Sequence, residues 1–202
     1  MIENSEVWLL IIGAIISLVS TIVGFSIQLI TQTLLNRKGK VKIFKKLVYS
    51  KLDGRAWGFY KYESDVRFSV PLWIEIHNTR NKTEVIRNLN LVLYSSNKKV
   101  DQMIQSSHIK NSDGIHYYAN KGKYSFMIDP KSIASHELYF FVNKKDIDKD
   151  FDEVKLTYYD TNDKLREYSL LNISNPWFPM DNLIDNDWNL LGKDRYKTRS
   201  KV

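Results

Sequence analysis

FSVPLWIEIH (residues 68–77) and VIRNLNLVLY (residues 85–94), joined by the polar run 78–84, decide how this chain is read. In the first, Leu72, Ile74 and Ile76 recur at every second position; in the second, Leu89, Leu91 and Leu93 do the same. A period of two places such residues on one face of an extended strand. Pro71 has no N–H to give a ladder, so it is expected at an edge, at a bulge or at the beginning of its strand.

Working outward, short runs rich in Val, Ile, Tyr and Phe predict further strands at 100–105, 123–128, 137–142, 154–159 and 164–171, the last two joined through Asp160-Thr-Asn-Asp163. Long helical patterns are missing from this part of the chain. That many short strands with polar turns between them predicts an all-β domain, a β-sandwich or alternatively a small β-barrel. Residues 40–49 read two ways: Val41, Ile43 and Leu47 suit a strand, which is favoured, while Val41, Phe44 and Val48 suit a basic amphipathic helix.

Two motifs carry a family likeness. PLWIEIHN (71–78) is similar to the Asn-terminated strand that opens many immunoglobulin-like and fibronectin-like sandwiches, and VKLTYYD (154–160) with REYSL (166–170) resembles their closing hairpin. The resemblance covers about residues 55–175 and implies an immunoglobulin-like β-sandwich of the sort found in membrane-tethered bacterial proteins.

Residues 7–30 contain no charge. As a helix of 1.5 Å rise per residue they reach about 36 Å, enough to cross a hydrocarbon core of roughly 30 Å with some tilt. A cleaved signal peptide needs a positive leader and a shorter apolar run, whereas here Glu3 and Glu6 precede a long one. The expected plan is a short extracytoplasmic N-terminus (1–6), a transmembrane helix (7–30), a basic juxtamembrane segment (31–51), the sandwich (52–175), and an aromatic, proline-containing segment with a basic tail (176–202). Gly13, Ser17 and Thr21, and again Ser20 and Gly24, recur at the spacing that lets transmembrane helices approach closely, so a homo-oligomer through this face is one expectation. Trp8 suits an interfacial anchor.

The formal charge of +7 is unevenly placed. Arg37, Lys38, Lys40, Lys42, Lys45, Lys46 and Lys51 follow the apolar run with no acid among them, and Lys193, Arg195, Lys197, Arg199 and Lys201 crowd the tail. Residues 52–192 hold eighteen basic and twenty acidic side chains, a net charge of −2. Basic residues close to a membrane segment stay on the cytoplasmic side, which predicts the N-terminus outside and the domain in the cytoplasm, in the cell membrane. Arg37, Lys38, Lys40, Lys42, Lys45 and Lys46 are the expected contacts to an anionic leaflet.

Catalytic signatures are missing from the sequence. There is no cysteine, which excludes disulfides, thiolate metal sites and cysteine nucleophiles. His77, His108, His116 and His136 stand in no zinc spacing, and no phosphate loop, nucleophile elbow or dinucleotide fingerprint occurs. Asp146-Ile-Asp-Lys-Asp-Phe-Asp152 begins like a calcium loop but has Phe151 and Thr157 where glycine and glutamate belong. No enzyme activity, metal or cofactor is therefore expected.

Trp177 and Phe178, between Pro176 and Pro179, either cap the open end of the core or form an exposed anchor for a partner. The leading functional expectation is a membrane-anchored binding module with a protein partner, in an accessory bacterial defence or signalling role. A nucleic-acid-binding protein using the basic ends and Trp57, Phe59, Tyr60, Tyr117 and Tyr118 ranks lower, because the body is slightly acidic. A small-ligand-sensing β domain coupled to an oligomerising helix is the third reading.

Overall fold

A computed structural model describes residues 4–51, 54–111, 114–179 and 182–192; the basic tail from Lys193 to Lys201 lies outside the described residues. The chain divides into two units, 1–39 and 40–202.

The first unit is one helix, α1 (Asn4–Arg37). It is longer at both ends than the uncharged run, because nothing in residues 31–36 breaks a helix. Gly39, at φ +90°, stops it, and the Lys38 N–H closes the last turn on the carbonyls of Leu34 and Leu35, both at 3.2 Å. The hydroxyls of Thr21, Ser26 and Thr33 each donate to the carbonyl four residues back at 2.8 Å, which satisfies these three donors within the helix itself. The stretch Ser5–Leu35 is long and apolar enough to cross a membrane, a form compatible with a single-pass anchor.

The second unit is a β-sandwich. Its strands are β1 (Val41–Leu47), β2 (Gly58–Tyr62), β3 (Asp65–Asn78), β4 (Glu84–Ser95), β5 (Lys98–Gln102), β6 (Ile104–Gln105), β7 (His108–Asn111), β8 (Gly114–Tyr117), β9 (Phe126–Ile128), β10 (Ser132–Asn143), β11 (Glu153–Tyr159), β12 (Leu165–Asn172) and β13 (Asn189–Leu190). One sheet runs β13-β1-β3-β10-β6 with β2 also on β3; the other runs β12-β11-β4-β5 with β9 also on β4; β7 and β8 form a small hairpin. Among the described residues both large sheets keep open edges, so the barrel alternative is set aside.

The expected boundary at residue 52 falls elsewhere. Residues 41–47 are a strand of the sandwich, paired along β3 from Val41↔Asn78 to Leu47↔Leu72, and β13 from the C-terminal segment extends the same sheet. Ile43 and Leu47 face the core, which fixes the extended form.

Pro71 lies in the middle of β3 rather than at an end. On one side β3 pairs with β10 without interruption; on the other, its partner changes from β1, ending at Leu47↔Leu72, to β2, beginning at Gly58↔Ser69. The Pro71 carbonyl accepts from Val48 N at 3.4 Å, so its missing N–H falls in that gap, since both groups of a strand residue point to one edge.

The core is the alternation made solid. Phe68, Val70, Leu72, Ile74 and Ile76 of β3 meet Leu89, Leu91 and Leu93 of β4, with Leu138 and Phe140 of β10 and Val154 and Leu156 of β11, all completely buried. Along β4 the inward parity switches between Ile86 and Leu89. Asn88 makes the switch with φ +51°, as an extra residue against β11, where Thr157 pairs with Asn90 and Tyr159 with Arg87.

Two polar residues lock the turn from β3 to β4. Buried Asn78 donates its side-chain amide to the carbonyls of Lys82 (2.8 Å), Ile128 (3.2 Å) and Asp129 (2.9 Å), and its oxygen accepts from Arg80 N at 3.0 Å. Buried Glu84 accepts from Arg80 Nη1 at 2.7 Å and from Thr161 Oγ1 at 2.6 Å, tying this turn to the one between β11 and β12. Burial works to raise the Glu84 carboxyl, but hydrogen bonds from Thr161 and Arg80 and the charges of Arg80 and Lys82 outweigh it and hold the group below its ordinary 4.5.

Two outcomes follow from this geometry. Asn88→Val forces a β-branched residue into the left-handed region and should cost about 1–2 kcal/mol, while Asn88→Gly stays near neutral; chemical denaturation of the full chain in detergent compares them. The Glu84 ion favours the fold above pH 4.5 and that contribution is lost as pH falls through its depressed folded value, so Glu84→Gln should flatten the acid limb of a stability–pH curve.

Candidate functional site

The residues picked from sequence fall into distinct settings. Lys38 and Lys40 are exposed, and Lys42 and Lys46 share the outer face of β1, opposite His77 and Trp73. Lys45 has the opposite parity and turns inward. Its ammonium pairs with Asp185 at 2.9 Å and is only 16% exposed, so it is committed to an internal partner rather than to lipid. The side chain of Arg37 lies outside the described residues. On α1, Gly13, Ser17, Ser20, Thr21 and Gly24 are all exposed, and a Cβ added at Gly13 or Gly24 would meet nothing within 4 Å.

The aromatic pair divides. Trp177 is in the core, edge-on to Phe59 and Phe151, and its indole N–H donates to Asp150 at 2.8 Å. Phe178 is 64% exposed. So Trp177 caps the core and only Phe178 keeps an anchor's exposure. The aromatics suggested for base stacking divide likewise: Phe59 and Tyr118 are core residues, Trp57 and Tyr60 are half-buried, and Tyr117 is exposed.

The acidic loop does not converge on a cation. Asp146 takes Asn143 Nδ2, Asp150 takes Trp177, and Asp152 accepts Ser96 N at 2.9 Å. Among the described residues no three His, Asp or Glu side chains are placed to hold a metal ion. His136 faces inward with its ring 4.2 Å from that of Phe126; burial lowers its pKa, partly offset by a hydrogen bond with the Ala119 backbone.

A concavity lies where the two sheets part. It is a groove of about 580 Å³ bordered by six consecutive residues of β12, 167–172, and across from them by Trp57, Lys45, Asp185 and residues 189–192. Among the described residues β12 pairs only with β11. A run of consecutive residues along one wall means that the groove follows the open edge of the strand, where its backbone groups and alternate side chains both face the space.

The far wall is held by few, specific bonds. Asp185 accepts from Lys45 Nζ and from Leu47 N, both at 2.9 Å, and its own N–H donates to the Leu47 carbonyl at 3.0 Å. Trp57 Nε1 donates to the Leu183 carbonyl at 3.0 Å, and Leu191 N to the Ile43 carbonyl at 2.8 Å. The segment then crosses Tyr168 at Gly192, where φ is +81° and a Cβ would sit 2.9 Å from the ring. At the sandwich surface Tyr94 donates to Glu167 at 2.5 Å; burial first, then that carboxylate, pushes its phenol up to about 12.

The family described as YopI Ig-like domain matches residues 40–171, starting where the second unit starts and ending within β12. The match covers well over half of the 202 residues. This chain belongs to the YopI Ig-like domain family. Neither the curated proteins nor the solved structures contain a match. An Ig-like domain displays loops and strand edges on two packed sheets, the build of an interaction module. In this YopI Ig-like domain the near wall of the groove, β12, belongs largely to the matched region, while Asp185, β13 and Gly192 lie beyond it.

Asp185→Ala removes both an ionic and a main-chain hydrogen bond from the far wall. It should loosen residues 182–192 at a cost of about 1–3 kcal/mol, seen as earlier cleavage within that segment during limited proteolysis while the core strands stay protected.

Proposed function

We propose that this chain is a membrane-tethered, non-catalytic interaction module whose YopI Ig-like domain takes up an extended segment of a protein partner along the open edge of β12. The observation that carries the reading is the groove itself: six successive residues of an edge strand along one wall, with Trp57, Leu190 and Leu191 as apolar surface opposite. Strand addition supplies affinity from main-chain hydrogen bonds and selectivity from the side-chain pockets beside them. The absence of a familiar catalytic motif from the sequence supports the non-catalytic part of the reading.

The tether is α1, with the domain on the cytoplasmic side as the basic flank predicts. Lys38, Lys40, Lys42 and Lys46 would each add about 1 kcal/mol of attraction to an anionic leaflet. Confinement to the membrane raises the effective concentration of any partner held there, which suits an accessory role in bacterial defence or signalling.

A photocrosslinking residue placed at Ser169, on β12, should give a discrete adduct with an extended partner segment in intact membranes, and the same probe at Lys99, on the opposite edge strand β5, should not. Adducts at neither site, or equally at both, would refute the edge as the docking element. Protease added to sealed inside-out vesicles should digest the domain, whereas protection of the domain there would reverse the orientation.

A further inference from the structure

The outer face of the other large sheet carries a second recess, of about 310 Å³, that the reading above does not use. Trp73 and Glu75 of β3 and Ser135 and Glu137 of β10 open into it, as does Trp188, just before β13. Register explains the grouping. Trp73 stands directly opposite Glu137 and Glu75 opposite Ser135, all on the outward parity of their strands. Trp188 reaches the same place from the far edge of the sheet, since Asn189 pairs with Lys45 on β1. Ile74 and His136, of inward parity, complete the floor.

The chemistry of this lining is selective. It offers two indoles and two carboxylates, and no lysine or arginine is among the lining residues. Glu137 is held by Lys51 Nζ at 2.7 Å and faces His116 Nε2 at 3.3 Å. Glu75 contacts His77 Nε2 at 3.1 Å and Ser135 Oγ at 3.4 Å. Lys46, opposite Trp73 on β1, stands outside the recess. The carboxylates are therefore fixed in place and already hydrogen-bonded. They disfavour an anion by charge, and they offer a small metal ion no converging ligand set, in keeping with the absence of such a cluster among the described residues. A cation that needs no hydrogen-bond acceptors but gains from aromatic faces fits this surface. Indole is the best of the aromatic rings for that purpose.

We propose that this recess binds a quaternary alkylammonium cation of the choline type, between the indoles of Trp73 and Trp188, with Glu75 supplying the counter-charge that Glu137, paired with Lys51, does not. The site is distinct from the β12 groove, lying on the outer face of the β13-β1-β3-β10 sheet. Trimethylammonium groups occur both on free solutes and on phospholipid headgroups, and the test separates these sources.

Full-length protein labelled with ¹⁵N and held in a choline-free maltoside detergent is titrated with tetramethylammonium chloride, with sodium chloride as the control. The indole N–H signals of Trp73 and Trp188, assigned through Trp→Phe variants, should move saturably with tetramethylammonium alone, while that of Trp8 stays still. Glu75→Gln, which keeps the side-chain volume at a surface position, and Trp188→Ala should each weaken the apparent affinity at least fivefold. Reconstitution into phosphatidylcholine and phosphatidylglycerol nanodiscs then locates the source. Saturated shifts in the first lipid without added ligand identify a headgroup, and shifts only on adding free choline identify a solute. Equal shifts with sodium chloride, no saturable shift, or Glu75→Gln and Trp188→Ala titrating like the unaltered chain would overturn the proposal.

Discussion

Strand β3 is hydrogen-bonded along both edges for most of its fourteen residues, and its inward parity sets the position of every neighbour. Once Phe68, Val70, Leu72, Ile74 and Ile76 are turned toward the second sheet, Pro71, Trp73, Glu75 and His77 must turn away, because a strand offers only two faces. A slip of one residue against β1 or β10 would bury Glu75 and His77 and expose the isoleucines. The register is therefore held by the whole core at once, and the outer recess inherits its geometry from the same constraint.

The groove depends on this frame less directly. Its near wall is β12, reached from β3 only through the packing of the two sheets, and its far wall is a segment tied down by Asp185, Trp57 and the two-residue strand β13. The near wall shares the cooperative stability of the sandwich, whereas the far wall rests on a handful of polar contacts. Such a pairing lets one side of a cleft adjust to an occupant while the other stays fixed.

What was legible in the sequence was what local alternation writes. Strands β3, β4, β10, β11 and β12 are among the longer ones and alternate over most of their length, and the β11–β12 hairpin is marked by Asp160-Thr-Asn-Asp163. Strand β13 was not legible, because two residues, Asn189 and Leu190, become a strand only when β1 lies beside them. The same holds for Lys45: its parity with Ile43 and Leu47 points it inward, but the carboxylate that receives it is 140 residues further on. Trp177 and Phe178 look equivalent in sequence, and what separates them is Asp150, the acceptor that lets an indole N–H be buried, for which phenylalanine has no counterpart. Trp73 and Trp188 have no sequence relation at all; only the sheet brings them to one recess.

The left-handed turn of the backbone at Asn88 has an evolutionary corollary. Ahead of it, the core-facing positions of β4 are even-numbered, and beyond it they are odd-numbered, so the strand is written in two reading phases spliced at one point. Losing a single amino acid elsewhere in β4 would turn the residues beyond the loss by 180°, whereas losing the extra residue itself would leave one continuous phase. The length of this strand on either side of the splice is thus far less free to drift over generations than its composition, and a change in residue number is best absorbed at the splice itself.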